Sequence, residues 1–140
     1  MRAFSSVPSR MRPVYVTVFL FVLLGVGPLI SNPFWIDYIV SNHELPLLPW
    51  GACCGFKGPV SDFLGLEAVV ILLYLELLAI SPLSILTGFL IWKLRKSGGS
   101  LGIYLSLGRV GITLIGFAAP YGVIYIVQLL LLGRIWTNLR

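Results

Sequence analysis

The sequence predicts an all-α, multi-pass membrane protein with three transmembrane helices and a long apolar outer loop. Three observations carry that expectation. First, three uninterrupted apolar stretches, 14–31, 68–92 and 110–133, hold a single charged side chain between them, Glu76. Second, 58% of the 140 residues are hydrophobic and only 11% are charged, where a soluble domain carries about a quarter charged residues. Five acids and ten bases are too few to solvate a globule of this size, so lipid must replace water as the main solvent. Third, Lys and Arg gather beside most ends of the stretches, as the positive-inside bias of membrane proteins requires. The net charge of +5 therefore does not point to nucleic acid, because the bases form no patch with interleaved aromatics on a soluble fold.

Residues 1–13, MRAFSSVPSRMRP, contain three Arg, three Ser and no acid. An organellar transit peptide shares that composition, but Pro8 and Pro13 interrupt an amphipathic helix, and the segment is read as a basic cytoplasmic tail. The first span, 14–31, rises about 27 Å as a helix, close to the thickness of a hydrocarbon core. Asn32-Pro33 then has the form of an N-cap followed by proline at the first helical position. The residues after it, including Phe34, Trp35 and Tyr38, suit a short helix at the membrane interface. The rest of the 32–67 connection is punctuated by Pro46, Pro49, Gly51, Gly55, Gly58 and Pro59, yet it carries Leu45, Leu47, Leu48, Trp50 and Phe56. A loop so long and apolar is expected to lie on the membrane or under a partner.

The second span, 68–92, rises about 37 Å and should kink at Pro82, with Ser81 or Ser84 meeting the freed backbone groups. A basic turn, 93–100, follows. Residues 101–109 are expected to enter at the interface, with Arg109 snorkelling to the headgroups. The third span is then 110–133, followed by a short tail, 134–140. With three spans, Arg2, Arg10, Arg12, Lys93, Arg95 and Lys96 share one side, and Lys57, Arg134 and Arg140 the other. That bias puts the N-terminus on the cytoplasmic or equivalent side. A four-span arrangement competes, with 119–122 as a turn between helices at 101–118 and 121–137. It gathers the C-terminal arginines with the other bases, but it leaves Arg109 in mid-bilayer at a cost of about 2.5 kcal/mol or more.

Few residues offer chemistry. Glu76 lies deep in the second span, where an ionised carboxylate is costly without a cation or donor beside it. Gln128, Tyr125 and Arg109 are its candidate partners. The mostly dry face it shares with Leu72 or Leu73, Ile80, Leu83 and Thr87 favours a packing contact over a proton relay. Gly111, Ala118 and Gly122 form a small-residue stripe that would let another helix approach closely. Cys53 and Cys54, with His43, are a weak candidate set for a soft metal, since a closed zinc site wants four ligands. Neighbouring cysteines do not easily bond to each other. The triplet Cys53-Cys54-Gly55 resembles the CCG motif of tetraspanins over those three residues, and the chain lacks that family's further loop cysteines. Metal-protease, phosphate-loop and dinucleotide motifs are absent, so neither an enzyme nor a cofactor is implied.

These features lead to the expectation of a small accessory or structural subunit that packs against other integral membrane subunits and lipid. The alternatives are a homo-oligomeric channel or transporter centred on Glu76, or a membrane thiol or metal protein using Cys53 and Cys54.

Overall fold

The computed structural model describes residues 11–45, 59–115 and 119–140. All the regular structure in them is helical. Helix α1 spans Arg12–Asn42 and α2 spans Pro59–Leu75, followed by a π-helical turn over Glu76–Ile80 and by α3 over Ser81–Trp92. Helix α4 runs Lys96–Ile115 and α5 Ala119–Ile135, ending in a 3₁₀ turn at Trp136–Asn138. Two rods are long and apolar enough to cross a membrane: α1, and the run Asp62–Trp92 that joins α2 to α3. The expected count of three, or four, such spans is thus not reached by length and composition.

Three sequence expectations are revised. Asn32-Pro33 does not start a second helix. Both residues lie inside α1, which continues for 31 residues, about 46 Å. Pro28 and Pro33 are both accommodated within it, and the helix stops only where His43 adopts a left-handed backbone (φ 55°). Second, the 101–133 segment is not one entry followed by one span. It folds as two antiparallel helices, with Pro120 in the first turn of α5, where its missing N–H is not needed. Third, 93–100 is not all turn, because α4 begins at Lys96. Residues 46–58 of the apolar connection, Cys53 and Cys54 among them, lie outside the described residues, as does Ala118.

The helices pack antiparallel in chain order, and close approach explains where. An added Cβ at Gly25 of α1 would lie 2.6 Å from Ile85 Cγ1 and 2.9 Å from the Ser81 carbonyl oxygen. One at Gly88 of α3 would lie 3.0 Å from Val22 Cγ2. Glycines on both helices therefore bring the α1 and α3 backbones together. Gly99 and Gly102 of α4 do the same against Trp136, Leu139 and Leu132, while Gly122 of α5 faces Thr113 of α4. The end of the chain is tied to the α3–α4 turn: the Arg140 N–H donates to the Leu94 carbonyl at 2.7 Å, and the Lys96 N–H to the Arg140 carbonyl at 2.9 Å.

The apolar core is divided. Val14, Phe21, Ile91, Leu132, Ile135 and Leu139 form a cluster at one end of the bundle. Ile36, Ile39, Val69 and Leu73 form another toward the opposite end. Between and beside them lie buried polar side chains, including Asn32, Ser81, Ser84, Ser106, Arg109 and Gln128. The exterior is apolar instead, with Phe19, Ile30, Ile71, Leu78, Leu107 and Leu130 all more than half exposed. Water selects the reverse distribution, and hydrocarbon leaves no penalty for an apolar exterior.

Charge is sorted along the bundle. Exposed Arg12, Lys93, Arg95, Lys96, Arg134 and Arg140 lie at the end where α1 begins and α3 and α5 finish. Exposed Asp37, Glu44, Asp62 and Glu67 lie toward the other.

Candidate functional site

The side chains of Glu76 and Arg109 meet inside the bundle, and the local helix defects explain how. Pro28 lacks the N–H that would bond the carbonyl four residues earlier. That carbonyl belongs to Leu24, and Arg109 Nη2 donates to it at 3.2 Å. A proline inside α1 thereby frees an acceptor for a cation from α4. Helix α1 also supplies Asn32, whose Nδ2 donates to the Leu73 carbonyl at 3.2 Å. The same amide lies close to the Glu76 carboxyl.

Glu76 opens the π-helical turn, and its carbonyl accepts from the Ser81 N–H, one residue further along than in an α-helix. Pro82 follows immediately. The extra residue changes which face of α3 points inward. An unbroken α-helix would carry the Glu76 face on to Ile80, Leu83 and Thr87. The π turn moves it by one position, and Ser81, Ser84 and Gly88 are buried, alongside Thr87. The dry face expected beyond Glu76 is therefore hydroxyl-bearing.

Arg109 Nη2 lies 3.6 Å from Glu76 Oε1, with the two side chains 4% and 18% exposed. Arg109 is thus not a snorkelling interfacial anchor. It is thirteen residues into α4, about 20 Å along the axis, and enclosed. The guanidinium carbon also sits 5.4 Å from the Tyr125 ring centroid of α5, in range of a cation–π attraction. Removing such a charge from water costs several kcal/mol, which only close counter-charge and hydrogen bonds can offset. Each of these two charges looks prohibitive alone in an apolar helix; together they compensate one another. That removes the main objection to placing Arg109 mid-bundle.

The compensation is incomplete. A guanidinium has five N–H donors, and Arg109 Nε and Nη1 are buried without a protein acceptor among the described residues. Other buried polar atoms share this condition: Ser81 Oγ, Ser84 Oγ and Gln128 Nε2. Gln128 does not reach Glu76. Its Oε1 accepts from Ser106 Oγ at 3.4 Å, one turn of α4 from Arg109.

Of the sequence candidates, Glu76, Arg109 and Tyr125 come together, and Gln128 lies one layer away. Gly122 packs within the chain against Thr113, whereas nothing lies within 4 Å of an added Cβ at Gly111, so the two do not serve one common contact. His43 is exposed at the end of α1, and no group of three or more metal-ligating side chains occurs among the described residues. Sequence reasoning overlooked Asn32, taken for a helix cap, and the Leu24 carbonyl. Pro28 was the signal for the latter, since an intrahelical proline frees the carbonyl four positions before it.

No protein-family model, no curated protein and no solved structure matches this chain.

Proposed function

We propose that this chain is a small integral membrane transport protein, a carrier or channel acting as a single chain or a homo-oligomer, whose path passes the Glu76–Arg109 pair. The observation that carries the reading is the pair itself: two opposite charges inside an apolar bundle, one of them with N–H groups that meet no acceptor among the described residues. A structural contact is better served by apolar packing, because a buried ion pair adds little net stability over a hydrophobic replacement. Ionisable groups within membrane helices are therefore read first as parts of ion or substrate pathways. The buried hydroxyls and amide along α3, α4 and α5 would extend a polar lining toward the basic end. In this reading α4 and α5 cross the bilayer with the two longer rods, and the basic end faces the cytoplasmic or equivalent side.

The test is reconstitution of the purified chain into liposomes with measurement of proton and small-ion flux. Flux above empty vesicles, reduced at least about tenfold by Glu76→Gln, supports the proposal. Background flux from the unaltered protein overturns it.

A second reading, an accessory subunit of a larger membrane complex, is favoured by one feature. Gly108 and Gly111 of α4 are one turn apart, and an added Cβ at either meets nothing within 4 Å, so another subunit's helix could approach there. Native mass spectrometry after gentle extraction separates the two readings, since an accessory subunit emerges with its partners. The thiol or metal reading rests on Cys53 and Cys54, which lie outside the described residues.

A further inference from the structure

The unsatisfied donors of Arg109 go further than a general pathway. The Arg109 side chain is only 4% exposed, yet Nε and Nη1 have no protein acceptor among the described residues. Among the described residues its hydrogen bond goes to the Leu24 carbonyl. Its counter-charge, Glu76, stands at 3.6 Å, outside ordinary hydrogen-bond length. A buried guanidinium so loosely held has room in its bonding, though not in its charge balance, for another acceptor. Charge balance decides what that acceptor can be.

With Glu76 ionised, the pair is neutral. An anion added to Arg109 alone would leave the interior with one net negative charge. A proton added to Glu76 alone would leave one net positive charge. Either half-filled state carries an unpaired charge in a low-dielectric interior and is penalised heavily. Adding both restores neutrality: the proton neutralises the carboxylate, and the anion takes over as the counter-ion of Arg109. The groups that face Glu76 from the packed helices are Asn32 of α1 and Arg109 of α4, with Tyr125 of α5 against the guanidinium. No second carboxylate or cation intervenes among the described residues.

We infer that the Glu76–Arg109 pair is a coupled site for one proton, taken by the Glu76 carboxylate, and one small monovalent anion, held by the N–H groups of Arg109 that have no acceptor among the described residues. This rests on the transport reading and specifies its substrate class. The chain would move a proton and an anion together, in the same direction and without net charge. Asn32 serves both states, because its amide can donate to an ionised Glu76 or accept from a protonated one.

The inference is tested on the purified wild-type protein by calorimetric titration with chloride, nitrate and acetate between pH 5 and pH 8. Repetition in buffers of different ionisation enthalpy counts the protons taken up. The expected result is one proton bound per anion, with affinity rising about tenfold for each unit that the pH falls. Absence of binding across that range overturns the inference, as does binding without proton uptake. A parallel flux assay separates this from the broader proposal. Proton-coupled binding without flux sinks the transport reading and leaves the site intact; flux indifferent to the anion sinks the site and leaves transport standing. In Glu76→Gln, anion binding should persist and lose its pH dependence, and in Arg109→Gln it should disappear.

Discussion

The centre of the molecule depends on a few side chains whose costs cancel. Removing Glu76 leaves a buried guanidinium with no counter-charge, and breaking a buried pair in this way typically costs about 3–5 kcal/mol. Replacing both partners with apolar residues removes both charges at once. The prediction is that Glu76→Leu and Arg109→Met are each strongly destabilising, whereas the double variant is much less so than their sum. Unfolding equilibria in mixed micelles, arranged as a double-mutant cycle, measure this directly. Additive effects would mean that the pair is not coupled in the folded protein.

At the scale of elements, the helices owe their arrangement to defects as much as to regularity. Pro28 frees the carbonyl that Arg109 uses, and the π turn before Pro82 shifts Ser81 and Ser84 to the inner face. Gly65 (φ 78°, ψ 178°) interrupts α2 with a backbone conformation that side chains other than glycine's rarely tolerate. Close packing adds its own requirement. At Gly25 a methyl group would meet the Ser81 carbonyl oxygen at 2.9 Å, whereas at Gly27, two residues on, nothing lies within 4 Å. Gly25→Ala is therefore expected to destabilise the bundle by about 1–3 kcal/mol through overpacking. Gly27→Ala should be neutral or slightly stabilising. Thermal unfolding of the two variants in one detergent makes the comparison, and equal effects would remove the close α1–α3 crossing.

At the scale of the whole molecule, the sorting of charge is the feature with the broadest consequence. Because α4 and α5 fold back on each other, Arg134 and Arg140 join Arg12 and the α3–α4 turn at one end. The three-span arrangement would have put the C-terminal arginines opposite that turn. Site-directed labelling distinguishes the two, after Cys53 and Cys54 are replaced by serine. Single cysteines at Ser97 and Arg134 should react with an impermeant maleimide from the same face of the membrane, and one at Glu44 from the other. Labelling of Arg134→Cys together with Glu44→Cys would restore the three-span topology.

The sequence by itself determined the helical content and the apolar lengths that could cross a membrane. Composition and uninterrupted apolar length report what surrounds a chain, and both are local quantities. It also singled out Glu76, because one carboxylate in such a stretch is conspicuous without any partner in view. Two other decisions needed tertiary structure. The partition of 101–133 into two helices turned on whether Arg109 could be tolerated inside the bundle, and that depended on a carboxylate 33 positions earlier and a carbonyl freed by Pro28. The polar face beyond Glu76 turned on a single inserted residue in the helical repeat, which no α-helical periodicity anticipates. Both are products of contacts between distant segments, and the energy of a buried charge has no sign until its neighbours are known.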